Sequence, residues 1–336
     1  MQNIKTADGH VVQEKTIMGH PPGLYICFFT EMWERFSFYG MKALLLLYFT
    51  KYHLFNDDNG YNLIGAYGGL VYAMPVLGGL LADRYLGMRK AVIFGGILLV
   101  LGHFGMAFEG HAAQRIDGEI VRDEAALQVF YLSLSLIIVG VGFLKPNIST
   151  IVGNLYPEND PRRESGFTLF YAGINLGAVL SSVTCGVLGE LYGWKYGFGA
   201  AGVGMVIGLI TFTMGRKYLH GHAEPKNPAK LKQRVVAGLT IEQLIYLGSF
   251  GGVALVWLLI QWHSLILPWL GFSPVLLTMH TVTAALTIGI AWFMSKHCNA
   301  QQRRQMLMVI FLFFRVWCCT RCMNKLTVPG CCFPIA

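Results

Sequence analysis

Eight apolar stretches follow one another along this chain, at roughly 24–53, 62–82, 91–109, 128–152, 166–190, 196–214, 240–262 and 275–296. A bilayer core of ~30 Å takes about 20 apolar residues per helix. Backbone amides in lipid must pair within their own segment, which leaves helices or closed barrels as the spanning structures. Runs of this length predict an all-α integral membrane protein. Composition agrees, with 54% hydrophobic residues against 13% charged, where a soluble domain carries about a quarter charged residues.

A formal net charge of +8 raises the question of nucleic acid, and the placement of the charge answers it. Basic residues cluster between the apolar runs: Arg84, Arg89 and Lys90; Arg162 and Arg163; Arg216, Lys217, Lys226, Lys230, Lys232 and Arg234; then Lys296, Arg303 and Arg304. The alternate loops are acidic or neutral, with Asp57 and Asp58 in one and five acids from Glu109 to Glu124 in another. That alternation follows the positive-inside rule. It puts the N-terminus in the cytoplasm and implies no nucleic-acid partner. Residues 1–20 are polar and carry no cleavable signal peptide.

The chain divides into a cytoplasmic tail (1–22), a six-helix bundle (23–214), a basic linker (215–238), an inserted helix pair (239–297) and the start of a further helix (298–314). The apolar run Met306–Phe314 gives way abruptly to Arg315, Cys318, Cys319, Arg321, Cys322 and Lys325, with Pro329 and Pro334 beyond. Residues 315–336 therefore read as an aberrant tail of shifted reading frame, the alternative being a short amphipathic cytoplasmic tail. A metal site among Cys318, Cys319, Cys322, Cys331 and Cys332 is not implied, because no histidine follows and Cys-x-x-Cys alone is a weak signal.

The first helix carries four charges, Glu31, Glu34, Arg35 and Lys42. Each would cost ~2.5–3.5 kcal/mol at the centre of a bilayer. Spacings of four, four and three put Glu31, Arg35, Tyr39 and Lys42 along one stripe with Glu34 beside it. A Glu31–Arg35 ion pair that fastens the bundle accounts for two of these charges and leaves the rest. Lys145, next to Pro146 in the fourth helix, needs a carboxylate partner, and Glu31 and Glu34 are the deep ones available. Asn175, between Gly173 and Gly177, offers an amide to a ligand or an interhelical hydrogen bond across a glycine contact. Cations, phenols, an amide and protonatable carboxylates in one cavity suit a small zwitterion moved with H⁺. No Gly-x-Ser-x-Gly elbow, His-Glu-x-x-His or P-loop suggests an enzyme, and no catalytic residue is assigned.

Four segments carry a resemblance to a known family. They are Glu31-Met-Trp-Glu34-Arg35-Phe36, Gly78 through Asp83-Arg84 to Arg89, Phe143-Leu144-Lys145-Pro146-Asn147, and Phe170 to Gly177. The chain resembles a bacterial proton-dependent oligopeptide transporter of the major facilitator superfamily over residues 22 to about 314. The resemblance implies the N-terminal six-helix bundle of that fold plus an inserted helix pair, with the C-terminal bundle missing. It further implies a multi-pass protein of the inner membrane that moves di- or tripeptides with H⁺. No cofactor beyond the proton gradient and no obligate protein partner is implied.

By the same resemblance, Arg35, Lys42 and Lys145 would hold the peptide carboxylate, and Tyr39, Tyr72 and Asn175 would contact its backbone. Glu31 and Glu34 would couple protons through exchange with Arg35 and Lys145. Asp83, Arg84 and Arg89 would latch the cytoplasmic side. Lys42 stands where relatives commonly have arginine, and Gly65 where animal relatives have histidine. The glutamate of the seventh core helix, which would clamp the peptide's amino group, is absent. The chain thus reads as a truncated, inactive form. Alternatives are a non-transporting scaffold and a carrier of nitrate or another small anion.

Overall fold

The computed structural model describes the backbone at residues 2–5, 11–157, 159–225, 227–236, 238–270 and 274–325. Helix α1 (Pro22–Leu47) opens on a proline at its first turn, where the missing N–H costs nothing. It runs into a π-helical turn, Tyr48–Tyr52. Helix α2 (Asp57–Leu81) is N-capped by Asn56, whose Oδ1 accepts from the Asn59 amide at 3.0 Å. A second π-helical turn, Ala82–Leu86, extends it to Gly87. Then come α3 (Met88–Met106), α4 (Glu124–Asn154), α5 (Arg162–Tyr192) and α6 (Trp194–Gly215). The linker holds the one-turn α7 (Pro228–Leu231), and α8 (Ile241–Leu270), α9 (Pro274–His297) and α10 (Ala300–Lys325) follow.

Three two-stranded hairpins join or precede the helices: β1 (Gln2–Lys5) with β2 (Val11–Glu14), β3 (Gln114–Ile116) with β4 (Glu119–Val121), and β5 (Arg234–Val236) with β6 (Leu239–Thr240). The β3–β4 turn is Asp117-Gly118 with both φ angles positive, at 54° and 88°, as a two-residue hairpin of this kind requires.

Six helical stretches among the described residues are long and apolar enough to cross a membrane: Asn59–Leu86, Met88–Met106, Glu124–Asn154, Arg162–Tyr192, Trp194–Leu219 and Ile241–Gln261. The sequence shows eight runs. Of the other two, α1 is long enough but carries the four charges that make it unusual. The side chains of α9 lie partly outside the described residues.

The chain forms two compact units, Met1–Met279 and His280–Ala336. In the first, α4 is the central helix: 78% of its apolar window is buried, against 28% for α5. It packs on α2 and α3, while α1 packs on α5 and α6. Glycines set the closest approaches. A Cβ at Gly95 of α3 would stand 2.6 Å from the Gly140 carbonyl oxygen of α4. Side-chain bonds cross the bundle as well, with Ser37 of α1 donating to the Ala201 carbonyl of α6 at 2.6 Å.

In the second unit, Asn299 caps α10 and Gln302 returns the bond to the Asn299 amide, a reciprocal capping box. Arg303 donates to the carbonyls of Met294 and Ser295, each at 2.8 Å. Helix α10 does not stop at Phe314, where the apolar run ends, but continues to Lys325. No glycine or proline falls between Ala300 and Lys325, so the break in composition is not a break in backbone. The rest of the expected tail, residues 326–336 with Cys331 and Cys332, lies outside the described residues, as do the side chains of Cys318, Cys319 and Cys322.

Candidate functional site

The charged stripe of α1 begins deep in the bundle. Glu31, Glu34 and Arg35 are 2%, 1% and 3% exposed. Arg35 forks onto Glu34, with Nη2 donating to Oε1 at 2.6 Å and Nε donating to Oε2. Its Nε also lies 3.3 Å from Glu31 Oε1. The main partner is therefore the adjacent residue, not the one a turn away that helical spacing suggests. One guanidinium serves two carboxylates, and Glu31 Oε2 is buried without a hydrogen-bond partner. Bidentate pairing of this kind is among the strong polar contacts, and it offsets the desolvation of three charges only while it stays intact.

Below the guanidinium lies Phe38, its ring centre 4.9 Å from Arg35 Cζ, and Tyr67 of α2 stacks on Phe38 at 6.3 Å. The Tyr67 hydroxyl is buried and unpartnered. Sequence reasoning missed this aromatic floor. The signal was an aromatic residue three positions after Arg35, which a helix places on the same face.

Helix α5 reaches the cluster through glycine. A Cβ at Gly177 would collide with the Met32 carbonyl and stand 3.1 Å from Arg35 Cβ. Gly173 likewise meets Phe28. The glycine face thus packs on α1, while Asn175 is turned outward and exposed, its Nδ2 donating to the Tyr171 carbonyl at 3.3 Å. The close contact in this segment belongs to the glycines and not to the amide.

Lys145 of α4 makes no ion pair within 4 Å among the described residues, contrary to the expected carboxylate partner. Arg35 pairs with Glu34 and with one oxygen of Glu31, and Lys145 Nζ sits 4.9 Å from the centre of the Tyr72 ring, a cation–π contact. Its charge still interacts with Glu31, Glu34 and Arg35. Tyr39 is half-buried against Phe38, with ring centres 5.4 Å apart. Lys42 is exposed, about 16 Å along the axis from Glu31. Tyr72 is 63% exposed. The predicted residues thus divide into a buried acidic cluster and an open set, Lys42, Tyr72 and Asn175, linked by Lys145.

The predicted latch is not assembled as a unit. Asp83 and Arg84 are exposed, and Asp83 makes no ion pair among the described residues. Arg89 pairs with Glu224 of the linker, Nη2 donating to Oε2 at 3.1 Å, and the Arg89 amide donates to the Ala223 carbonyl at 2.8 Å. Gly87, at φ 78°, is pressed against Pro225, which brings the linker onto this loop. Lys90 pairs with Glu242 of α8 at 2.6 Å. These partners are over 130 residues away and left no local signal.

Among the described residues no three His, Cys, Asp or Glu side chains group as metal ligands do. Outside the membrane, Asp123 at the start of α4 accepts from the Ala126 amide and from His111, which hold its carboxyl down at about 2.

The chain is similar to several curated transporter proteins. It is 43% identical over 239 residues to the uncharacterized transporter YclF of Bacillus subtilis, covering 70% of this chain and 46% of that protein. It is 38% identical over 250 residues to a di-/tripeptide transporter of Lactococcus lactis subsp. cremoris, covering 70% of this chain and 47% of the other. Among solved structures, a POT family transporter in complex with a thioalcohol-conjugated peptide matches at TM-score 0.69 and 30% identity, over 90% of this chain and 59% of that one. A peptide transporter in complex with sulfate matches at TM-score 0.63 and 35% identity, over 90% and 58%. The chain spans about half the length of the curated relatives it matches. The sequence pattern of one family covers residues 89–326, and on that match the chain belongs to the POT family.

Proposed function

We propose that this chain is the first half of a proton-coupled di- and tripeptide transporter, with its N-terminus in the cytoplasm of a cell whose inner membrane it crosses several times. The observation that carries the reading is the buried Glu31–Arg35–Glu34 cluster with its unpartnered carboxylate oxygen. A cluster short of one cation is a place for a proton. Protonating Glu34 or Glu31 weakens the hold on Arg35, which then turns toward a second anion, the peptide's carboxylate. Lys145 and Lys42 supply the further cations, and Tyr39, Tyr72 and Asn175 meet the peptide backbone. Proton and peptide thereby favour the same arrangement of the helices, which is what coupling requires. Binding near the interface of two six-helix halves is how such carriers alternate access. This chain supplies one half and its charges, and the group that holds the peptide's amino end belongs to the other.

Asp83, Arg84 and Arg89 then act at the cytoplasmic edge, with Glu224 holding Arg89 in the arrangement seen here. The relatives named as di-/tripeptide transporters support the substrate class. The test is uptake of a labelled dipeptide by this chain joined to the complementary half of such a relative. Lys145→Ala is expected to lower uptake at least tenfold, an effect of about 1.4 kcal/mol. Unchanged uptake in that variant would remove Lys145 from carboxylate binding. Uptake of nitrate with none of dipeptide would favour the small-anion reading.

A further inference from the structure

At the end of the bundle where α2 meets α3, four cations stand close together, and they differ in what neutralises them. Arg89 is paired with Glu224 and Lys90 with Glu242. Arg84 and Lys230 have no carboxylate within 4 Å among the described residues, and both lie over one ring, Tyr85. The Arg84 guanidinium is 5.6 Å and the Lys230 ammonium 5.4 Å from its centre. Both cations are exposed. Asp83, next to Arg84 in sequence, makes no ion pair among the described residues.

Tyr85 also lines a cavity of about 420 Å³ between α2, α4 and α8, walled by Met74, Leu77, Leu81, Phe143 and Leu244. The one hydroxyl deeper in its wall, that of Ser249, already donates to the Ile245 carbonyl at 2.7 Å. The cavity therefore offers little to a polar guest along its length, and Tyr85 joins its wall to two cations that have no carboxylate within 4 Å among the described residues. Helix α7, which carries Lys230, packs on both α8 and the π-helical end of α2, so the cationic mouth is built by the fold and not by a stray side chain. The surrounding medium of these helices is lipid, and a cationic mouth on an apolar groove is the shape of a phospholipid site.

We propose that the groove between α2, α4 and α8 binds one anionic phospholipid, its acyl chain along Leu77, Leu81 and Leu244 and its phosphate between Arg84 and Lys230. Such a site requires membrane insertion and not transport, so either reading can fail without the other. Gly248 and Gly252 face the groove with open space where a Cβ would stand, which allows the groove to be filled without disturbing the helix contacts.

The experiment is lipid retention by the purified full chain, measured by mass spectrometry after exchange into mixed micelles of phosphatidylglycerol and phosphatidylcholine. Phosphatidylglycerol is expected to be retained selectively, near one molecule per chain. Lys230→Gln is expected to lower that retention roughly fivefold, the effect of about one surface cation near an anionic lipid. Gly248→Leu is expected to abolish retention by occupying the groove, and Lys232→Gln, an exposed cation away from Tyr85, is expected to leave it unchanged. Equal retention of both lipids would overturn the proposal. So would an equal loss in Lys232→Gln, which would mean general surface charge, or retention undiminished in Gly248→Leu. Displacement of the bound lipid by millimolar inorganic phosphate would also overturn it, by showing that the cations hold phosphate without a chain in the groove.

Discussion

The charges of α1 and those at the α2–α3 end are balanced in opposite ways. Inside the bundle, two carboxylates share one arginine, all three groups at most 3% exposed. At the α2–α3 end, Arg89 and Lys90 each have an acid of their own, and side chains there remain a fifth to nearly a half exposed. Buried charge is expensive to leave unpaired, and exposed charge is cheap to lose because water takes the partner's place. The interior cluster is therefore the part of the molecule where a proton can move the energy by several kcal/mol. The surface pairs fasten the linker and α8 to this end of the bundle and can be exchanged at little cost.

The sharpest way to break this comparison is Arg35→Met, which strands two buried carboxylates. It is expected to destabilise the bundle by ~3–5 kcal/mol, read as a loss of thermal stability in detergent. Adding Glu34→Gln to that variant is expected to restore part of the loss, because the two side chains are in contact and their effects do not add. Next in size is Gly177→Leu, which drives a side chain into the Met32 carbonyl of α1 and is expected to cost ~1–3 kcal/mol by overpacking. If it is tolerated, α5 is not pressed on the cluster as described.

Lys90→Gln removes a partly exposed pair and is expected to change stability by less than about 1 kcal/mol, measured the same way. A loss as large as that of Arg35→Met would erase the distinction between the two regions.

The smallest effect lies at Asp123. Its carboxyl is held below the ordinary range by the Ala126 amide and by His111, so it stabilises the fold above the ordinary carboxylate pKa. That contribution fades as pH falls through about 2. Asp123→Ala is expected to lower the melting temperature slightly and by a constant amount above about pH 5. A deficit that grows from about pH 5 to about pH 8 would contradict this assignment.

Much of the framework was readable from one sequence, because lipid leaves few choices: apolar runs of the right length located the described helices to within a few residues at most ends. The four charges of α1 were equally legible, since none has a place facing lipid. What could not be read was which groups meet. Helical spacing favoured Glu31 for Arg35, yet the guanidinium folds back onto its neighbour Glu34 and reaches Glu31 second. Lys145 rests on Tyr72, although one Glu31 oxygen is left without a partner. Arg89 finds Glu224 far along the chain, through a linker laid on Gly87. The continuation of α10 past Phe314 shows a further limit. Composition reports where a helix is apolar, and in α10 the backbone stays helical beyond that point.

The central claim is that the α1 cluster binds the coupling proton. Its most direct test is dipeptide transport in proteoliposomes by this chain joined to the complementary half of a relative, comparing the unaltered cluster with Glu34→Gln. The unaltered protein is expected to accumulate dipeptide against its gradient when the outside is acid. Glu34→Gln, with the side chain permanently neutral, should still exchange dipeptide across the membrane but should not accumulate it. Undiminished acid-driven accumulation by Glu34→Gln would take Glu34 out of the coupling step, and the same result in Glu31→Gln as well would contradict the claim.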